Sequence, residues 1–242
     1  MLHLSLRRAS LIALCFVLPG AAFADAKDDA AAAKCPNVAA WQTKMAQAHP
    51  ALTSEGIERD NKAAGFSDTD LRDELSKRFD QDQSARSAWI AAPQDKAAFQ
   101  AMDKVDKDNL AWMKETFAKK GFPHANAVGL AGVSAAFTLV QHATSDIPFM
   151  QSMLPQITAR ADAGELAKGD VAMLTDRLLR HEGKPQRYGT QYTTTNGRDF
   201  ASMKMDPVED PAHLDQRRAS MDLMPSADYQ CMLSVYYAPA PK

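Results

Sequence analysis

The stretch Val128-Gly-Leu-Ala-Gly-Val-Ser-Ala-Ala-Phe-Thr-Leu-Val140 decides how the rest of the chain is read. It lies inside a run, 125–145, that contains no Asp, Glu, Lys or Arg. A helix that is apolar on all sides is either a membrane span or the central helix of a bundle. Asn126, Ser134, Thr138, Gln141 and His142 are too many polar groups for an unassisted span. The stretch therefore reads as a helix buried in the middle of a helical domain. Gly129, Ala131, Gly132 and Ala135 would let neighbouring helices approach closely.

The flanking sequence supplies those neighbours. Before it, helix-forming residues dominate. A helix over 37–48 ends at His49-Pro50. Ser67-Asp-Thr-Asp70 resembles a capping box and opens a helix reaching about residue 90. A further helix over 95–119 is stopped by Gly121 and Pro123. After it, Asp146 caps a short helix that begins at Pro148 and is disturbed at Pro155. Another helix spans 164–180 and stops near Gly183 and Pro185.

The pattern then changes. Arg187-Tyr-Gly-Thr-Gln-Tyr-Thr-Thr-Thr195 is rich in β-branched and aromatic residues, and Asn196-Gly197 separates it from 198–205. This is a hairpin signal with a type I′ turn. Helices over 212–221 and from 226 onward complete the chain. The expectation is a mainly α fold, a single helical domain of about six to eight helices with one β-hairpin near 187–205.

The chain's 242 residues are 45% hydrophobic and 24% charged, which excludes disorder as the main architecture. A formal charge of −2 lacks the basic excess that sequence-independent nucleic-acid binding requires, so no nucleic-acid partner is expected. Residues 1–24 read as a secretory signal peptide: Arg7 and Arg8, an apolar run from Leu11 to Leu18, then Ala22-Phe-Ala24 before Asp25. Cleavage removes two positive charges and no acid, moving the charge to −4, and predicts a periplasmic or secreted protein with no stable membrane insertion. Residues 25–66 would form a mobile segment with one helix, and 67–242 the helical domain. Cys15 leaves with the leader, and in an oxidising compartment Cys35 and Cys231 become candidates for a disulfide.

Several polar residues fall where helical periodicity calls for apolar ones. In the helix reaching residue 90, Leu71, Leu75, Phe79, Trp89 and Ile90 define the buried stripe. Asp82, Gln83 and Arg86 project onto the same face. Asp82 and Arg86 are four apart and can pair. In the next helix Phe99, Met102, Leu110, Met113 and Phe117 make the stripe, and Asp106 falls within it. A charge on a core face costs several kcal/mol unless it is paired or lines a wet cleft. The alternatives are thus an ion network between two helices or a ligand pocket.

His142 and Asp146, four apart at the end of the buried helix, form a second constellation. A His oriented by a carboxylate is the basic unit of general-base catalysis and of metal ligation. The alternative is a hydrogen-bonded core histidine beside an N-cap. There is no zinc helix, nucleophile elbow, phosphate loop or dinucleotide fingerprint. No metal or other cofactor is expected.

Taken in order, several short motifs resemble a family of mainly bacterial domains of unknown function. They are Asp82-Gln83 with Arg86, Gly121-Phe-Pro123, Val128-Gly129, Leu139-Val-Gln-His-Ala143, Leu174-Thr-Asp-Arg177, Tyr188-Gly-Thr-Gln191, and Asp215 with Arg217-Arg218 ahead of Leu223 and Tyr229. The similarity covers about residues 68–232, and Asp222 stands where a glycine would precede Leu223. The resemblance implies no activity or substrate. It groups Asp82, Gln83, Arg86, Gln141, His142, Asp176, Arg177, Tyr188 and Gln191 as polar residues that one site would gather most economically. Gly189 would allow close backbone approach by a ligand or another segment.

Three functions remain open. The first is a hydrolase-like enzyme with His142 as general base, Asp146 or Asp82 orienting it, and Arg86 with Gln191 holding a polar or anionic substrate. The second is a binding module for a small polar ligand or peptide, and the third a structural or interaction domain. The absence of a complete nucleophile or metal set favours the latter two, and the sequence is silent on oligomeric state.

Overall fold

A computed structural model describes residues 31–236 apart from 32, 64, 93 and 194–202. The expected leader and the Asn196-Gly197 turn lie outside the described residues. The helices are α1 (Pro36–Ala48), α2 (Ser54–Asn61), α3 (Thr69–Ala91), α4 (Lys96–Lys120), α5 (Ala125–His142), α6 (Ile147–Asp162), α7 (Lys168–His181), α8 (Leu214–Ser220) and α9 (Ser226–Tyr236). Two short strands, β1 (Tyr192–Thr193) and β2 (Lys204–Met205), separate α7 from α8. The protein is mainly α with a two-stranded antiparallel hairpin.

Helix α5 is the axis of the domain. Val133, Ala136, Phe137, Leu139 and Val140 are fully buried among Leu75 of α3, Met113 and Phe117 of α4, and Met150 and Ile157 of α6. Each large aliphatic or aromatic side chain so buried contributes roughly 1.5–3 kcal/mol. Helices α3 and α4 pack on each other and on α5, while α6 packs on α7. No helix among the described residues is long and apolar enough to cross a membrane.

Local chemistry sets the helix ends. The Asp68 carboxylate accepts from Leu71 N at the start of α3, and Asp95 accepts from Ala97 N at the start of α4. Gly121, with φ of 72°, ends α4. Gly129 interrupts α5, its φ of 75° and ψ of 165° leaving the helix. Asp60 of α2 uses the break: its Oδ2 accepts from Leu130 N at 2.6 Å, and a Cβ on Gly129 would lie 3.0 Å from that oxygen. Gly129 thus lets α2 approach α5 closely enough for its Asp60 carboxylate to cap Leu130 N.

Other expectations are corrected. Helix α2 has no counterpart among the elements expected from sequence; Thr53 caps it through Gly56 N. Helix α6 is not short but runs 16 residues through Pro155. Helix α7 starts at Lys168, because Gly164 adopts φ of 75° in the preceding turn. Ile90 and Phe99, assigned to the core stripe, are 46% and 48% exposed. Helix α5 ends at His142 beside Asp82 and Arg86, so the α3–α4 pair extends past the helix that covers it.

In the hairpin Tyr192 pairs with Met205 and Thr193 with Lys204. Gly189, φ 62°, lets another segment approach: an added Cβ would lie 2.8 Å from Met205 Sδ. At the chain ends a disulfide joins Cys35 to Cys231, with Cα atoms 5.9 Å apart. It fastens α1 to α9 over a second small core of Val38, Met224, Met232 and Val235.

Candidate functional site

Where α5 ends against α3 and α4, charged side chains from three helices meet. Helix α3 supplies Asp82, Gln83 and Arg86, α4 supplies Asp106 and α5 supplies His142. Asp82 and Arg86 are one turn apart on the face turned to α5. Arg86 Nε lies 3.2 and 3.3 Å from the two Asp82 oxygens, and its Nη2 lies 2.5 Å from Asp106 Oδ1. Its Nη1 reaches Met102 Sδ at 3.6 Å. Gln83 Nε2 donates to Asp82 Oδ2 at 2.8 Å. One guanidinium thereby joins two carboxylates across α3 and α4.

His142 completes the cluster. Its Nδ1 lies 2.9 and 3.0 Å from the Asp82 oxygens and 2.8 Å from Arg86 Nε. A guanidinium only donates and a carboxylate only accepts, so neither neutral tautomer satisfies both neighbours. Nε2 has no hydrogen-bond partner among the described residues and is not one of the sealed polar atoms. The ring as a whole is almost entirely buried, its side chain 4% exposed. Asp106, with its side chain 18% exposed, forms the other open edge.

Burial divides the protonation states. Burial disfavours charge on Asp82, but His142 and Arg86 beside it, with the Gln83 hydrogen bond, bring its carboxyl below the usual range. Burial pushes Asp106 up to about 6, with Arg86 pulling the other way. Burial holds His142 down to about 4 despite the adjacent Asp82. At neutral pH the imidazole is neutral and Arg86 is the cation of the cluster.

Asp82, Asp106 and His142 each offer a ligand atom within 4.8 Å of the others, a donor set able to hold a metal ion. Sequence spacing gave no sign of it, because the three donors come from three helices. Arg86 already lies against all three residues and supplies a positive charge there.

The remaining candidates form a second network. Asp176 of α7 is fully buried and accepts from the backbone N–H groups of Arg187, Tyr188 and Thr190 and from the Thr190 hydroxyl. Burial pushes its carboxyl up, against these four donors. Gln191 is held by Gln186, whose Oε1 accepts from Gln191 N and whose Nε2 donates to Gln191 O. The Gln191 side chain donates from Nε2 to Thr190 Oγ1 at 3.1 Å, a contact within this second network rather than with Arg86. Tyr188 enters through its backbone, donating to Asp176 and accepting from Arg218 Nη1. Arg177 links the two networks by donating to Gln141 O at 2.5 Å, next to His142. The Gln141 side chain is fully buried, and neither of its polar atoms has a partner among the described residues.

Asp146 stands apart. Its carboxylate accepts from Phe149 N as the cap of α6 and pairs with Lys114. Its oxygens are thus engaged away from the ring it was expected to orient, and Asp82 takes that place. Gln186 was not foreseen, since nothing in its local sequence distinguishes it; Thr190 was legible only within the Tyr188-Gly-Thr-Gln191 motif, and Met102 only as a member of the apolar stripe. Arg218 was legible only within the Arg217-Arg218 motif.

Comparison with known proteins adds a family and nothing more specific. No curated protein and no solved structure matches the chain. A family of unknown function, DUF6624, matches residues 69–240, which takes in both networks and every candidate catalytic or ligand-binding residue. The chain belongs to this family of unknown function, DUF6624.

Proposed function

We propose that the domain binds a small polar ligand or peptide at the open edge formed by Asp106 and His142 Nε2, and that it works outside the cytoplasm. The observation that carries the reading is the contact of one atom, His142 Nδ1, with both Asp82 and Arg86. That contact fixes the ring and leaves Nε2 able to present a lone pair or a proton, depending on the tautomer. Beside it, Asp106 titrates near 6 and presents either an acceptor or a donor. The Cys35–Cys231 disulfide supports an oxidising compartment.

Binding is favoured over general-base catalysis by His142 because a base works best with a pKa near the ambient pH. An imidazole held at about 4 is far too weakly basic at neutral pH. If the site has a proton-transfer role, Asp106 is the better placed group.

NMR titration of isotope-labelled protein with a free amino acid, a blocked dipeptide and a monosaccharide tests the proposal. At least one should move the His142 side-chain nitrogen signals in a saturable way, and Asp106→Asn should weaken that response. If none moves them, the cluster is an ion network with a structural role alone.

A further inference from the structure

Helices α3 and α4 each turn one stripe toward α5, and on both helices the stripe outlasts its cover. On α3, Ile90 follows Arg86 by one turn; on α4, Met102 and Phe99 precede Asp106 by about one turn and two. Helix α5 stops at His142, beside Asp82. Met102 is still buried there, its Sδ 3.6 Å from Arg86 Nη1, but Ile90 and Phe99 are 46% and 48% exposed. Among the described residues the large hydrophobic side chains that stand exposed are these two. They lie at the same end of the helix pair, where Trp89 packs on Phe99 with ring centroids 6.2 Å apart. An exposed apolar face that continues a buried one marks a place for a ligand.

The polar edge of this face has a defined charge. Asp82 and Asp106 are two carboxylates joined by one guanidinium, Arg86, and the imidazole beside them is neutral at neutral pH. Above about pH 6, where Asp106 is ionised, the cluster carries one net negative charge. Asp106 Oδ1 is taken by Arg86, whereas Oδ2 has no hydrogen-bond partner among the described residues and is not one of the sealed polar atoms. The neighbouring lysines of α4 do not offset that charge, since Lys104 pairs with Asp108 and Lys107 with Asp103. A cation is therefore attracted to this edge and an anion repelled. Phe99 and Asp106 are seven residues apart, about 10 Å along the helix. Three extended residues span about the same distance.

We propose that the ligand of this site is a short peptide with a free amino terminus and apolar side chains, whose ammonium group pairs with the Asp106 carboxylate while its second or third side chain covers Phe99 and Ile90. The inference rests on the ligand edge at Asp106 proposed above and narrows what occupies it. A free carboxylate would meet the wrong charge, and a monosaccharide would leave the apolar end uncovered.

The test titrates the full chain with Ala-Leu-Phe amide, its N-acetyl form and Gly-Ser-Ser amide, following the His142 side-chain nitrogens and the Trp89 indole N–H by NMR. Ala-Leu-Phe amide should bind saturably and move both signals. Acetylation removes the charge that meets Asp106 and should weaken binding by about tenfold or more. Gly-Ser-Ser amide keeps the charge but buries no apolar group, and should lose a similar factor. Phe99→Ser and Ile90→Ser change exposed positions and should each weaken Ala-Leu-Phe amide by about tenfold without altering the response to Gly-Ser-Ser amide. The proposal is overturned if Ala-Leu-Phe amide moves neither signal, if it binds no better than the acetylated and polar forms, or if both variants bind it as the wild type does. Saturable His142 shifts with a free amino acid or a monosaccharide would in that case leave the polar-ligand reading standing, and their absence would remove both. Self-association in sedimentation that Phe99→Ser abolishes would assign the apolar face to a second copy of the chain and also overturn the proposal.

Discussion

Arg86 Nε lies 2.8 Å from His142 Nδ1, the same nitrogen that stands 2.9 Å from Asp82 Oδ1. Three groups of different charge thus share one point between α3 and α5, and Arg86 extends the arrangement to Asp106 on α4. The energetics of this corner follow from Arg86 being the shared cation of two buried carboxylates.

Removing that cation is expected to be costly. Arg86→Met leaves Asp82 and Asp106 facing each other without compensation, and breaking a buried pair in this way costs about 3–5 kcal/mol. Adding Asp106→Asn removes one of the stranded charges and should recover part of the loss. Chemical denaturation of both single variants and the double variant measures the coupling. Additive losses would show that Arg86 does not join the two acids energetically.

The pH dependence of stability should show two opposing contributions. His142 is held at about 4 against an ordinary 6.5, so the unfolded chain binds the proton first and stability is lost as pH falls through that window. Asp106 is raised from 3.8 to about 6, so the folded chain keeps the proton longer and stability is lost as pH rises through that window. Each contribution is on the order of 3 kcal/mol, and they largely cancel between about pH 4 and 6. His142→Asn should therefore become less stable as pH rises from 4 to 6. Asp106→Asn should become less stable as pH falls from 6.5 to 4. Denaturation curves at half-unit steps separate the two slopes, and parallel profiles in the two variants would contradict them.

Asp176 and Asp146 should behave differently although both accept backbone N–H groups. Asp176→Ala strands three amides and a hydroxyl in the interior, a loss of at least about 3 kcal/mol at 1–3 kcal/mol for each unsatisfied group. Hydrogen exchange should accelerate at Arg187, Tyr188 and Thr190. Asp146→Ala removes one cap and an exposed ion pair, at about 1 kcal/mol. It should leave the His142 side-chain signals unchanged, whereas Asp82→Asn should move them.

Asp222 adopts φ of 54°, a left-handed conformation that favours glycine. Its carboxylate lies 3.2 Å from His49 Nε2 and 3.7 Å from Lys168 Nζ, both partly exposed. Relief of the backbone should outweigh such pairs, so Asp222→Gly should raise stability by up to about 1 kcal/mol. A lower melting temperature would show that the two pairs contribute more than the backbone does.

Much of the fold was legible because its signals are local. The charge-free 125–145 run announced the central helix, the Ser67-Asp-Thr-Asp70 motif announced the start of α3, where Asp68 rather than Ser67 is the cap, and Asp146 marked the start of α6. The failures have physical causes too. Helix α2 is short and polar, and only a long-range contact from Asp60 reveals its place. Periodicity assigned Ile90 and Phe99 to the stripe that carries Leu75 and Met113, but a stripe is buried only as far as another helix covers it.

By itself the sequence determined that a buried helix organises the domain and that Asp82, Arg86 and Asp106 occupy core faces, since helical period is a property of consecutive residues. The tertiary structure alone decided that these three meet His142, that Gln191 and Asp176 belong to another network, and that Asp146 is a cap. Those pairings depend on how helices distant in sequence cross, and spacing along one helix carries no record of where another ends.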